Sequence, residues 1–321
     1  MRRAGGRSAL VALLLVLSGA CVAGSGPGPN PVAPKAGGVG RDGDPPEMAS
    51  GIGQPLDGQA PTTAQVSPTE PTARPDVPST TRVNPRYLRP AYLGTPLNEL
   101  VSGTNYGVAR PTPAELRDRQ LYTVDVLDPP DTPAFAATVE LVPSDVLARS
   151  TWQPGCPVSV DELRYLTMTF RGFDEGVHTG EMIVNVAIVE ETVAVFEALF
   201  ELDFPIEEMS VMPASFWTDP PTGDSNITSS FECRAAVGGS GRWSNHAFGL
   251  AIDINPFHNP YRKGELILPE LAEAYLDRSH VRPGMILEGD AVVGLFDSIG
   301  WGWGGRWSSS EDYMHFSVDG R

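Results

Sequence analysis

The stretch RWSNHAFGLAIDIN, residues 242–255, places a histidine seven residues before an aspartate in a chain with only five histidines. Neutral imidazole and carboxylate are both good zinc ligands, and catalytic zinc sites usually take three protein ligands and leave a fourth position open. Apolar residues alternate with other residues after Gly249, which predicts a half-buried strand. His246 and Asp253 would face opposite sides of a continuous strand, so they converge only if the chain bends between them, and Gly249 permits that bend.

A further stretch, GWGWGGRWSSSEDYMHFSVDG, offers a third ligand. Its residues 314–319 alternate between apolar and polar, which predicts a short strand with His315 on the polar face. Asp312 lies three residues earlier. Two histidines and a carboxylate, with another acid close by, provide three ligands, an open position for water and a general base, which are the parts of a hydrolytic zinc centre.

Together these motifs resemble the zinc D-alanyl-D-alanine carboxypeptidase family, which also includes D,D-dipeptidases and phage L-alanyl-D-glutamate endopeptidases. The resemblance is carried by S-x-H-x-x-G-x-A-x-D at residues 244–253 and by D-x-x-H at residues 312–315. It extends upstream through the Cys-Pro pair at 156–157, the GVHTGEM segment around His178, and SSFECR, which ends at Arg234. The combination is far more specific than either half.

The resemblance assigns roles to the matched residues. The implied Zn²⁺ ligands are His246, Asp253 and His315. Asp312 would be the general base, because the family has Glu or Asp three residues before the last histidine; Glu311 is adjacent and leaves the choice open. Arg234 stands where the family has a substrate-binding arginine, which would either stabilise the developing oxyanion or anchor a substrate carboxylate.

Two other residues are candidates for the cleft. His178 lies in the family-like HTGEM segment and would line the cleft, but it has no motif partner, and a structural, hydrogen-bonded histidine is the alternative. Ser244 fits a hydrogen bond to a metal ligand better than a nucleophile, since no base is placed beside it. His258 and His280 are interpreted as structural.

The first 21 residues have the features of an export signal. They begin with arginines, continue with an apolar run that is short for a membrane span, and end with small residues. Cys21 follows a segment that resembles a bacterial lipoprotein processing site, although Ser18 stands where such sites usually have leucine. Lipidation of Cys21 would anchor the protein to the membrane, and ordinary cleavage near residue 20 or 23 is the alternative.

Composition divides the rest of the chain into three parts. Residues 22–90 are dominated by Pro, Gly, Ser, Thr and Ala, and they bury too little surface to offset their ordering entropy, which predicts a disordered tether. Residues 91–144 are weakly patterned, and we expect a partly ordered lead-in. Residues 145–321 are predicted to be the zinc peptidase domain.

The patterns within that domain predict an α+β fold. VDELRYLTMTFRGF indicates a helix that runs into a strand, GEMIVNVAI and FPIEEMSVM indicate strands, and VEETVAVFEALFEL indicates an amphipathic helix. With GLAIDI, these pieces predict a small antiparallel sheet with helices packed on one face and a zinc cleft on the other.

The two cysteines in the predicted domain, Cys156 and Cys233, lack the paired spacing of a zinc-thiolate site. An exported protein can oxidise them, so we expect a disulfide between them, and two separate buried thiols are the alternative.

The formal charge of −17 argues against a nucleic-acid partner, because phosphate binding needs a basic face. The resemblance instead implies a stem peptide of peptidoglycan as substrate and a location in the bacterial cell envelope, either secreted to the wall or anchored to the membrane. Two alternatives to a D-alanyl-D-alanine carboxypeptidase remain: an L-alanyl-D-glutamate-type endopeptidase, and a catalytically silent module that binds zinc and wall peptide. The oligomeric state is not indicated.

Overall fold

The computed structural model describes residues 88–95, 99–102, 104, 106–215, 223–237 and 241–321, which belong to one compact unit. The predicted export signal, Cys21 and the predicted tether up to residue 87 lie outside these residues. No helix in the described part of the chain has the length and apolarity needed to cross a membrane.

The longest strands form a three-stranded antiparallel sheet. They are β1 (Ala137–Leu141), β2 (Leu163–Arg171) and β3 (Val177–Asn185), in the order β1-β2-β3. On β2, Leu166, Met168 and Phe170 point into the core at the two-residue spacing of a strand. The helix expected before β2 is only a 3₁₀ turn, Val160–Glu162. The β-branched and aromatic residues that follow favour extended backbone, so the strand begins immediately.

In the described part of the chain, α-helices accompany the sheets. They are α1 (Ser144–Arg149), α2 (Val189–Glu201) and α3 (Ala291–Ser298). Helix α2 packs on β2 and has the predicted amphipathic pattern, since Val195, Phe196, Leu199 and Phe200 are buried at helical spacing. Asp290 begins α3 by accepting a hydrogen bond from the Val293 N–H at 2.9 Å.

Short strands make up the rest of the fold. Sheet β6-β11-β9 comprises β6 (Ala251–Asp253), β9 (Gly302–Trp303) and β11 (His315–Ser317), and sheet β10-β7-β8 comprises β7 (Tyr261–Lys263), β8 (Leu266–Leu268) and β10 (Glu311–Asp312). A parallel pair joins β4 (Glu208–Met209) to β5 (Ile227–Thr228). The single sheet expected from the sequence is thus several small sheets, because turns bound these strands after two or three residues.

A common core connects these sheets to the helices. Phe316 of β11 is fully buried, and its ring stacks on Phe296 of α3 with 3.8 Å between ring centroids. Ile252 of β6 and Phe196 of α2 belong to the same cluster. Because Phe316 faces this core, the neighbouring His315 points to the other side of its sheet.

The weakly patterned segment 91–144 also packs against the fold. Besides β1, it contributes Arg119, whose guanidinium donates to both carboxylate oxygens of Glu207 at 2.7 Å. Both side chains are almost fully buried, and the guanidinium lies 4.4 Å from the ring centroid of Phe257. A buried ion pair that loses one partner leaves an uncompensated charge, so this contact fixes the segment on the domain.

Candidate active site

A sharp turn brings His246 to Asp253. His246 lies in the 3₁₀ turn Asn245–Phe248, and Gly249 ends that turn with φ of 67°, in the left-handed region, before β6 begins. A Cβ on Gly249 would also lie 2.7 Å from the backbone nitrogen of Asn185. Glycine is therefore required twice, by the backbone conformation and by the close approach.

Strand pairing adds the second histidine. In the antiparallel register of β6 and β11, His315 is the partner of Asp253. Asp253 Oδ1 lies 3.2 Å from His246 Nε2 and 3.0 Å from His315 Nδ1, and the two nitrogens are 3.1 Å apart. All three side chains are buried.

The outer ring nitrogens have separate partners. His246 Nδ1 donates to the Ser230 carbonyl at 2.6 Å, and His315 Nε2 donates to the Arg321 carbonyl at 3.0 Å. With the ring protons held there, both inner nitrogens present lone pairs. Two lone pairs and a carboxylate oxygen that face one another at these distances need a cation or a proton between them.

The donor set fits zinc. A tetrahedron with metal–ligand distances of about 2.0 Å has edges of about 3.3 Å, close to the three separations within this group. Within the described residues, clustering of histidine, cysteine and acidic side chains identifies this group, whose ligand atoms lie within 4.8 Å of one another. We call the group of His246, Asp253 and His315 the metal triad.

The charges within the triad support the same conclusion. Burial alone would raise the pKa of Asp253, but His246 and His315 outweigh it and hold that pKa well below its usual range. Burial lowers the pKa of His246, yet the Asp253 carboxylate more than compensates and leaves it raised. A metal ion at the triad therefore competes with a proton, and its binding releases that proton.

Glu311 and Asp312 are neighbours on strand β10, but their carboxylates have different surroundings. Both carboxylate oxygens of Glu311 accept hydrogen bonds from Arg262, at 2.6 and 2.7 Å. Asp312 Oδ1 is buried and has no hydrogen-bond partner among the described residues. Burial raises the pKa of Asp312 to about 7, with Asp253 adding to the rise and His315 and Arg234 opposing it. Of these two carboxylates, Asp312 is therefore the one with an oxygen that can accept a proton from the site.

Gly304 holds Asp312 and His315 close to the 3₁₀ turn Gly304–Arg306. A Cβ on Gly304 would lie 2.6 Å from the Asp312 carbonyl oxygen, 2.8 Å from the Asp312 Cβ and 3.3 Å from the His315 Cβ. Backbone atoms cannot yield as a flexible side chain does. The absence of a side chain at Gly304 therefore sets the position of both residues.

A segment beside the triad places Arg234. Glu232 N–H donates to the His246 carbonyl at 3.0 Å, and the Glu232 carboxylate accepts from Arg234 Nε at 2.7 Å. The predicted disulfide is present: Cys156 and Cys233 are bonded, with 5.8 Å between their Cα atoms. The bridge anchors the residue immediately before Arg234.

Two depressions border the triad. The small pocket, of about 110 Å³, is mostly apolar and includes Asp253, Asp312 and Arg234 in its wall. The large groove, of about 600 Å³, is lined by Asp312, Arg234, His246 and His315, among others. Asp312 and Arg234 therefore face both depressions, and a substrate that occupies the two would pass over the triad.

Ser244 and His178 occupy different surroundings. Ser244 precedes the 3₁₀ turn and accepts a hydrogen bond from the His246 N–H at 3.3 Å, so it supports a ligand. His178 lies on β3, where its Nδ1 is 2.7 Å from Asp125 and its Nε2 is 3.0 Å from Asp174. His178 lines neither the small pocket nor the large groove, so the structure does not bring it to the triad.

Some contacts of the site have no sequence signature. The Ser230 carbonyl orients His246, but every residue carries a carbonyl. Tyr106, which lines the small pocket, lies far from the motifs in a weakly patterned segment. Gly304 is one of several glycines in GWGWGG, and this glycine-rich run is a signal from which a close approach could have been predicted.

Comparison with known proteins agrees with these motifs. A family model described as D-alanyl-D-alanine carboxypeptidase matches residues 238–318, which include the metal triad and Asp312 but not Arg234. No curated protein and no solved structure gives a significant match. Residues 238–318 of this chain are therefore similar to the D-alanyl-D-alanine carboxypeptidase family.

Proposed function

We propose that this protein is a zinc-dependent peptidase that cleaves stem peptides of peptidoglycan, with the activity of a D-alanyl-D-alanine carboxypeptidase. One observation carries the proposal: three metal-binding atoms of His246, Asp253 and His315 converge beside Asp312, whose Oδ1 is buried and has no hydrogen-bond partner among the described residues. The family description supports the substrate class.

The triad would hold Zn²⁺ through His246 Nε2, His315 Nδ1 and Asp253 Oδ1. Bound zinc supplies a Lewis acid that polarises the scissile carbonyl and lowers the pKa of water towards about 7. The Ser230 and Arg321 carbonyls keep the imidazoles in the tautomers that leave these nitrogens free.

Asp312 performs the proton transfers in this proposal. It accepts a proton from the attacking water through Oδ1 and returns it to the leaving amine. Since this oxygen makes no other hydrogen bond within the described structure, water and amine are its available partners. A pKa raised by burial to about 7 suits a group that must both take and give a proton near neutral pH.

Arg234 supplies positive charge next to the reacting carbonyl. Glu232 holds the guanidinium through Nε. The positive charge of the guanidinium suits either a substrate carboxylate or the oxyanion that develops during attack. Either role requires the arginine at the wall shared by the small pocket and the large groove.

A silent wall-binding module is less well supported. A module that only binds has no use for a carboxylate whose burial costs free energy without a hydrogen bond. Asp312 is such a group. The unpartnered oxygen therefore favours an enzyme.

The place of action follows from the substrate. Stem peptides lie outside the cytoplasmic membrane, which agrees with an export signal at residues 1–21 and with a disulfide that forms in oxidising compartments. We propose that residues 22–90 tether the peptidase domain, either to a lipid on Cys21 or to a cleaved N-terminus. Intact mass measurement of the mature protein distinguishes the two, because acylation adds the mass of the lipid.

The decisive experiment is mass spectrometry of purified muropeptides incubated with the mature protein and zinc. We expect products that lack one terminal alanine, and no such products with the Asp312→Asn variant. Release of a stem peptide cut after its first alanine would replace the carboxypeptidase by an endopeptidase. Unchanged substrates under all conditions would leave a binding module as the function.

A further inference from the structure

A hairpin outside the family-matched region contributes to the small pocket. The Val101 N–H donates to the Tyr106 carbonyl at 2.8 Å, the Val108 N–H donates to the Glu99 carbonyl at 3.1 Å, and Leu100 pairs with Gly107 in a β-bridge. We call the described residues 99–102, 104 and 106–108 the N-terminal hairpin. Its Tyr106 is half-buried and lines the small pocket.

Glu270 holds this hairpin in place. The Gly107 N–H donates to Glu270 Oε1 at 2.6 Å, and the Arg110 N–H donates to the Glu270 carbonyl at 3.0 Å. Glu270 is 1% exposed, and it also lines the small pocket. The residue next to Tyr106 is thus tied to the pocket wall itself, so the backbone that carries the tyrosine is held there.

The surroundings of Tyr106 place it among the groups of the site. Burial is the main cause that raises the pKa of its phenol, Glu232 and Glu270 add to the rise, and Arg234 opposes it. These three charged residues also line the small pocket. Tyr106 therefore shares one cavity with Arg234 and with the base Asp312, although about 130 residues of chain separate it from the former.

The small pocket suits a small apolar group. Its volume is about 110 Å³, and its wall is mostly apolar, with Met212, Ile227 and Leu268 among its residues. Two tyrosines, Tyr106 and Tyr261, border it, and a tyrosine ring is stiff because it rotates about only two side-chain bonds. Truncation of Tyr106 to alanine would remove a rigid ring from this wall and enlarge the pocket.

We infer that Tyr106 is a specificity-determining residue, whose ring restricts the small pocket to an alanine of the stem peptide beside the scissile bond. The inference rests on the proposed function. It also makes the N-terminal hairpin, which lies outside residues 238–318, a part of the active site.

The test compares three peptides that end in D-Ala-D-Ala, D-Ala-D-Leu and D-Leu-D-Ala. For the parent, kcat/KM should be highest for the first, because each surplus methylene in an apolar pocket costs roughly 10-fold or more. In Tyr106→Ala, kcat/KM for one leucine peptide relative to the alanine peptide should rise by about 10-fold or more. Whichever leucine peptide gains identifies the side of the scissile bond that occupies the pocket.

Three variants control this experiment. Tyr106→Phe keeps the ring and should keep the parent's preference among the peptides. Thr95→Ala removes an exposed hydroxyl that donates to the Tyr92 carbonyl outside the hairpin, and it should leave both rate and preference unchanged. Tyr106→Trp should lower kcat/KM for the alanine peptide, which tests the inference even if Tyr106→Ala does not fold. Circular dichroism and the Tm identify variants that fail to fold.

The outcomes separate this inference from the proposed function. If the parent hydrolyses the peptides and neither Tyr106→Ala nor Tyr106→Trp changes its preference by more than about twofold, the inference is wrong and the function stands. If the parent hydrolyses none of them, the proposed function is wrong, and calorimetric titration of the same peptides into the zinc-loaded proteins decides the inference. A shift in relative affinity supports it, and unchanged or absent binding overturns it.

Discussion

Histidine rings lie within hydrogen-bond distance of carboxylates at two places in the described structure, at the metal triad and around His178. At the triad, His246 and His315 each donate one ring proton to a backbone carbonyl and turn the other nitrogen towards Asp253. Around His178, both ring nitrogens lie against carboxylates, those of Asp125 and Asp174. The residue types are alike, but the arrangements of their partners differ.

The difference determines which cluster can bind a metal. A ring nitrogen that donates to a carbonyl fixes the tautomer and frees the opposite lone pair. A histidine between two carboxylates is stabilised when both nitrogens carry protons, and it then has no lone pair to offer. The partners of the outer nitrogens, rather than the number of nearby acids, distinguish a metal ligand from an ion-paired histidine.

The largest effect should come from loss of a triad histidine. We expect the purified parent to contain roughly one zinc per chain, and His246→Ala or His315→Ala to contain almost none, because two remaining ligands seldom retain the metal. His178→Ala is the matched control and should keep its zinc. Elemental analysis measures this directly. Zinc retained in either triad variant would remove that histidine from the site, and zinc lost in His178→Ala would contradict the distinction between the two clusters.

The next effect concerns proton transfer next to the triad. Asp312→Asn should retain zinc and the fold but lower the hydrolytic rate by roughly 10² to 10⁴, because asparagine preserves size without accepting the proton. Glu311→Gln should have little effect on the rate, since its carboxylate is paired with Arg262. Steady-state kinetics on a stem peptide compares the two. A large loss in Glu311→Gln with full activity in Asp312→Asn would reverse the assignment.

A smaller effect is expected where no ligand is changed. Gly304→Ala should displace Asp312 and His315, lower the activity, and cost about 1–3 kcal/mol of stability through overpacking. Gly294→Ala is the matched control: its Cβ would meet nothing within 4 Å, and it lies exposed in α3. It should gain about 0.5–1 kcal/mol from helix propensity. Urea unfolding together with activity assays measures both variants, and equal behaviour would refute the close packing argued for Gly304.

The smallest effect is a pH dependence of stability at His178. Burial lowers the pKa of His178, but hydrogen bonds to Asp174 and Asp125 outweigh it and raise the pKa above the ordinary value of 6.5. The protonated form is thus favoured in the folded state. Its stabilisation is complete below the unfolded pKa of about 6.5 and is lost as the pH rises through the higher folded pKa.

His178→Gln should remove this dependence. The free energy of unfolding, measured by urea denaturation from about pH 6 to about pH 9, should fall more steeply for the parent than for the variant, because the other titrating groups contribute equally to both. Zinc content should not change. Parallel pH profiles would show that the carboxylates do not favour the protonated imidazole.

Local patterns predicted much of this molecule. Helix α2 follows from hydrophobic periodicity, because it buries one face, and strand β3 follows from a short apolar run that is buried on both faces. The motif around His246 supplied the candidate ligands, and the need for a bend at Gly249 followed from the odd spacing to Asp253. The pairing of Cys156 with Cys233 required only that two cysteines remain in an exported domain. Such features depend on residue type and on spacing within one segment.

Only the tertiary structure decided the features of the site that depend on contacts between distant segments. The register of β6 against β11 brings His315 to Asp253, and the Ser230 carbonyl selects the His246 tautomer. Strand β10 has only two residues, too few for a pattern, yet its pairing turns Asp312 to the site and Glu311 to Arg262. These contacts join segments through backbone groups that every residue possesses, and therefore side-chain types alone do not encode them.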